Sequence, residues 1–182
     1  LNFPLLTIIL LISAFMLGDV PQNAFTNIIS TYLNINILEV RGSLNIFDSI
    51  FLVAQMGLFI GIMGTVPGHE LVHRKKNKFD MFMGNWLLAL SWDCAFALEH
   101  VHGHHKNVGL PSDPATARRG ENIYSFIVKA TFKEHRDAWK IELDQMRRRN
   151  IPLLSMQNKM ILGYLRSASI IILAFFIGGL KG

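Results

Sequence analysis

The chain has 182 residues, about the size of one domain, and 51% of them are apolar while only 17% are charged, against roughly a quarter in soluble domains. Residues 69–160 carry 15 of the 18 Lys and Arg and 10 of the 13 Asp and Glu, so the flanks are almost bare of charge. That distribution excludes an evenly charged soluble surface and points to a membrane protein with a polar headpiece. The net charge of +5 does not imply a nucleic-acid partner, because basic residues beside apolar spans mark the cytoplasmic face. A single cysteine, Cys94, excludes an internal disulfide framework.

The first apolar run is 3–17, FPLLTIILLISAFML. It lacks the charged start and cleavage site of a signal peptide and reads as a span over 1–17. Residues 18–45 read as loop with short surface helices. The second span covers 46–67, with Asp48 near its outer end and Gly57, Gly61 and Gly64 placed to let helices approach closely. Lys75, Lys76 and Lys78 follow it and set its end in the cytoplasm. Residues 81–98 are long enough to cross a bilayer, yet Asp93 lies among them, and a lipid-facing Asp at mid-bilayer is costly. Crossing would also carry the next histidines to the opposite face. An interfacial or re-entrant helix is expected there. An amphipathic helix follows from Ile123, with Ile123, Phe126, Ile127 and Ala130 at helical spacing. Arg147, Arg148 and Arg149 anchor its end, and 160–180 form a third span. The expected fold is all-α: an integral membrane helical bundle with histidine-bearing helices at the cytoplasmic face. Residues 1–182 read as one domain with a metal-site region over 69–159, incomplete because both ends look cut.

Six of the seven histidines lie within 37 residues, 69–105. His69 and His73, in HELVHR, stand at i, i+4 and share one helix face. EHVHGHH repeats that spacing with His100 and His104, while His105 is turned about a further 100° and His102 about 200° from His100. Imidazole is a neutral donor suited to iron, zinc or copper. A lone HExxH is the zinc-peptidase pattern, with Glu70 activating water. Five imidazoles exceed what one catalytic zinc uses and suit part of a two-metal site. His135 stands alone among charged residues and reads as a solvated helix position.

HELVHR with EHVHGHH, followed by DPATARRGE, resembles the integral-membrane non-haem di-iron alkane and xylene monooxygenases over about 46–180. The resemblance implies that His69, His73, His100, His104 and His105 are iron ligands. It implies two non-haem Fe ions with O2 as co-substrate, and insertion of one oxygen atom into an unactivated C–H bond of an alkane or alkyl-aromatic methyl group. The other atom leaves as water, on two electrons from rubredoxin or a ferredoxin-type reductase. It also implies a bacterial inner-membrane enzyme. The family's third box, HxxHH, does not occur in this sequence, so the stretch alone is expected not to assemble an active centre. Glu70 and Glu99, each beside a ligand, are expected to accept imidazole N–H bonds. Asp113, before Pro114, is expected to start a turn. Alternative readings are a membrane zinc metallopeptidase, a fatty acid desaturase, and a non-catalytic metal-binding membrane protein.

Overall fold

The computed structural model describes residues Leu1–Leu180. It is helical throughout, with no strand among the described residues. We number the helices α1 (Asn2–Leu17), α2 (Ala24–Leu33), α3 (Ile37–Ser43), α4 (Ile46–His73), α5 (Lys78–Leu90), α6 (residues 96–107), α7 (Ile123–Arg148) and α8 (Lys159–Gly178). The starts follow from capping chemistry. Asn23, Asn36, Asn45, Asn77 and Asn122 each offer a side-chain oxygen to an amide of the first turn, satisfying donors the helix itself leaves free. Asp48 completes a reciprocal box by accepting the Asn45 amide at 2.9 Å, so the acid near the start of α4 is a cap.

Among the described residues, two helices are long and apolar enough to cross a membrane: α4, with 28 residues, and α8, with 20. Only 6% and 22% of their most apolar windows are buried. A core helix of a soluble protein would hide such a surface, whereas here side chains such as Phe47, Phe51 and Phe176 lie open. α1 is apolar but has 16 residues, about 24 Å of helix against a hydrocarbon core of roughly 30 Å. α4 contains a π-helical turn at Ile60–Thr65, where the Thr65 hydroxyl donates to the Ile60 carbonyl at 3.4 Å. Gly57 and Gly61 face open space, so the close crossing expected of them is not made there.

The chain divides into two compact units, Leu1–Pro67 with the chain from Ala168 onward, and Gly68–Ser167. In the first, α1 packs along α4 and α3. Its end meets the end of α8, where the Asp19 amide donates to the Gly178 carbonyl at 3.0 Å. A Cβ on Gly18 would lie 1.9 Å from that oxygen, so only glycine allows the approach.

The second unit holds the histidines. Its core is Ala95, Leu98, Ala138 and Met160, flanked by Cys94, Trp139 and Tyr164. The Trp139 indole donates to the Tyr164 hydroxyl at 3.0 Å. Buried Glu142 accepts the Lys159 amide at 2.7 Å, placing a carboxylate at the positive start of α8. Buried Asn158 accepts the next two amides. The Ser167 hydroxyl ties α8 to the Ala89 carbonyl of α5 at 3.0 Å. Residues 81–98 are not one helix. α5 ends at Leu90, Trp92 takes a left-handed φ of 59°, and α6 begins at Phe96. This break explains how the second histidine motif returns to the first. α7 begins where the periodicity places it, but Ile123 and Ile127 are exposed; the buried positions are Ala130, Ala138, Glu142 and Met146. The inward face therefore opens only at Ala130.

Candidate metal centre

His69 and His73 lie on the last two turns of α4, in regular α-helix. Their position is set by a glycine-to-glycine crossing. A Cβ on Gly84 of α5 would lie 3.0 Å from side-chain atoms of Leu71 and Val72, and one on Gly68 would lie 3.2 Å from Leu87 and Leu88. The i, i+4 spacing does what it predicts: the two ring centroids are 4.8 Å apart.

The second motif does not follow α-helical geometry. His100–His104 form a π turn, and the His105 amide donates back to the His100 carbonyl, five residues earlier. One turn therefore takes about five residues rather than four. His105, expected to point away from His100, is brought beside it: Nε2 to Nε2 is 3.0 Å and the centroids are 4.5 Å apart. His104, expected on the His100 face, stacks at 5.3 Å from it and turns Nδ1 to a carboxylate instead.

Across the helices His100 lies 4.5 Å from His69 and 5.3 Å from His73, and His105 lies 5.0 Å from His73, by ring centroids. His69, His73 and His100 offer ligand atoms that all lie within 4.8 Å of one another, and each is half-buried. Phe96 walls the group, stacked on His100 at 4.4 Å and edge-on to His69 at 5.1 Å. Burial, and then the neighbouring imidazoles led by His69, push the His100 pKa down to about 4. His100 is thus a neutral nitrogen donor at physiological pH, the form a metal requires. Converging imidazoles with no carboxylate in the cluster are a donor set that fits iron, zinc or copper.

The carboxylate that holds a histidine is Asp113. His104 Nδ1 lies 2.9 and 3.1 Å from its two oxygens. Asp113 is 3% exposed and is itself fixed by the Thr116 hydroxyl and by the Ala115 amide at 3.1 Å. Burial would raise its pKa, but the hydrogen bonds from Thr116, His104 and the Ala115 amide outweigh that and hold it below the ordinary range. Such a partner keeps the proton on Nδ1 and presents Nε2 as the ligand atom. The sequence reading gave Asp113 only a turn. The turn is real, with the Thr116 amide donating to the Asp113 carbonyl at 3.4 Å, but its side chain reaches nine residues back to the motif.

The two carboxylates expected in that role sit elsewhere. Glu70 is exposed and pairs with Arg74 at 3.6 Å, and it hydrogen-bonds no histidine among the described residues. Glu99 is buried, with Oε1 unpartnered, folded over Gly103, where a Cβ would fall 2.2 Å from that oxygen. Burial, then the charges of Glu134 and Asp113, raise its pKa to about 7. His102 points out of the group into a separate cavity. His135 is not the solvated residue expected: it is half-buried and stacked on Tyr164 at 6.2 Å.

The fatty acid desaturase family model matches residues 49–182. Alkane 1-monooxygenase 1 of Pseudomonas aeruginosa is 34% identical over 120 residues, 66% of this chain and 31% of that protein. Alkane 1-monooxygenase of Pseudomonas putida is 37% identical over 119 residues, 65% and 29% of the two. The xylene/toluene monooxygenase hydroxylase component XylM of Pseudomonas putida is 35% identical over 96 residues, 52% and 26%. The chain spans about a third or less of the length of these curated relatives.

Proposed function

This chain belongs to the fatty acid desaturase family, and on that footing we propose that it is the histidine-motif region of a membrane monooxygenase that hydroxylates unactivated C–H bonds of an apolar hydrocarbon. The observation that carries the reading is the convergence of His69, His73, His100 and His105 from two helices, with His104 held by buried Asp113. Its relatives are named as alkane and xylene monooxygenases. The apolar, outward-facing α4 and α8, with the family, make it an integral membrane protein.

In this reading His69, His73, His100, His104 and His105 hold two non-haem iron ions together with ligands from elsewhere in the protein. Bound iron supplies the O2 activation that neutral side chains cannot. The chain's own part is to bind and orient. His100 stays unprotonated, Asp113 fixes the Nδ1 proton of His104, and Phe96 shields one side of the imidazoles from water. Glu70 and Glu99 stand beside ligands in the chain, Glu70 paired with Arg74 on the surface and Glu99 buried behind the second motif. A hydrocarbon reaches the site from the lipid. The metal-site region lies at the cytoplasmic face of a bacterial inner membrane, in one domain whose other parts are the spans. Electrons arrive there from rubredoxin or a ferredoxin-type reductase. Lys75, Lys76, Lys78, Arg147, Arg148 and Arg149 are exposed and would offer basic charge to an acidic carrier, and an electron-transfer rate that does not fall with salt would argue against that docking.

A zinc-peptidase reading needs Glu70 aimed at a metal-bound water. Its ion pair with Arg74 on the surface gives it no such position, and the fourth imidazole, His105, exceeds a zinc triad. The test is product analysis under ¹⁸O2 with the whole gene product, a linear alkane or xylene, and reductant. An ¹⁸O-labelled alcohol is expected. An alkene would assign a desaturase, and proteolysis without O2 uptake would assign a peptidase.

A further inference from the structure

A second site lies within the Gly68–Ser167 unit, apart from the histidine group. It is a cavity of about 620 Å³, in the range of small-ligand pockets. Five cations line it, Lys75, Arg148, Arg149, Lys159 and Arg166, together with His102, and no carboxylate does. Lys75, Arg148, Arg149 and Lys159 make no ion pair with a carboxylate among the described residues. Apolar Val72, Met81, Ala97, Leu98 and Leu162 also line it, with Asn85, Cys94 and Gln145, and Val72 and Leu98 are buried.

Like charges gathered round one hollow repel one another, so the arrangement is stabilised by an anion. Two consecutive arginines add planar donor forks that match phosphate oxygens two at a time. A topological anchor would need the charges but neither the hollow nor the greasy wall. The position narrows the ligand further. Lys75 follows α4 by two residues and Lys159 is the first residue of α8, so the cationic rim marks the ends of both candidate spans, where lipid headgroups lie. Arg166 stands about 10 Å further along α8, so cationic lining continues past the start of that span. We propose that this cavity binds the phosphate headgroup of one anionic phospholipid, with its glycerol and first methylenes on the apolar wall. The proposal rests on the membrane reading and not on the hydroxylase reading.

The test uses the whole gene product in detergent, followed by native mass spectrometry and thermal unfolding, with added phosphatidylglycerol, phosphatidylcholine or inorganic phosphate. Two double variants are compared: Arg148→Gln/Arg149→Gln in the cavity, and Arg118→Gln/Arg119→Gln on the exposed loop. The wild type is expected to retain one phosphatidylglycerol per chain and to gain thermal stability from it but not from phosphatidylcholine. Each cavity arginine lost should weaken retention about tenfold, the worth of a charge-assisted hydrogen bond, while the loop variant keeps it. Equal effects of the two lipids, or equal losses in the two variants, would overturn the proposal. So would full protection by inorganic phosphate alone, which assigns a free anion, or displacement of the lipid by a stoichiometric acidic redox protein, which assigns a protein dock.

Discussion

The two histidine motifs solve the same problem with different helices. HELVH uses a regular α turn, and its two imidazoles meet 4.8 Å apart as i, i+4 spacing dictates. EHVHGHH inserts a π turn, which brings i and i+5 together and frees i+4 for a second job. The α turn delivers two ligands to one face. The π turn delivers two, His100 and His105, and turns a third, His104, toward a carboxylate on the following loop. The supporting carboxylates differ in the same way. The first motif's Glu70 is solvated and paired to Arg74, while the second motif works with buried Asp113 and carries buried Glu99. More of the site's organisation therefore sits in the second motif.

The comparison is broken most forcefully at its junction. His100 touches His69, His73, His104 and His105, so His100→Ala should abolish metal retention in the purified protein, with helicity by circular dichroism unchanged. Asp113→Asn removes the charge beside His104 and should weaken metal binding about 10- to 100-fold, as loss of such a partner does elsewhere; competitive titration with a chelator reads this without an activity assay. Glu99→Gln isolates a pH effect in the metal-free protein. The Glu99 pKa is raised from 4.5 to about 7 on folding. Its neutral form is thus a stabilising contribution, complete below pH 4.5 and lost as pH rises through 7. The variant should match the wild type at pH 4.5 and exceed it at pH 8, by at most about 3 kcal/mol, in chemical denaturation. Glu70→Ala should do least. An exposed i, i+4 pair contributes about 0.5 kcal/mol or less, and metal affinity should stay within about twofold, since less than 0.5 kcal/mol is involved. A loss as large as that of Asp113→Asn would erase the contrast between the motifs.

Much of this was legible in the residues. The apolar runs pointed to α4 and α8, and His69, His73, His100, His104 and His105 proved to be neighbours in space. What was missed has identifiable physical causes. Periodicity assumes 3.6 residues per turn, so it assigned His104 rather than His105 to the His100 face; Gly103, with Glu99 folded over it, was the visible irregularity. Asp113 was read locally because a loop hides which distant group its side chain reaches. Composition over 81–98 is mostly apolar around Asp93 and does not reveal that Trp92 adopts a left-handed conformation and turns the chain. Gly57 and Gly61 looked like packing positions, but Gly68 and Gly84 make the crossing, and which glycines are used depends on the neighbouring helix.

The measurement nearest the central claim is the metal content of the whole gene product, purified from membranes and compared with its His100→Ala and His105→Ala variants by elemental analysis and Mössbauer spectroscopy. Two iron ions per chain, lost in His100→Ala and reduced in His105→Ala, is the expected result. A single zinc ion that survives His105→Ala would contradict the account and restore HELVH as a peptidase motif.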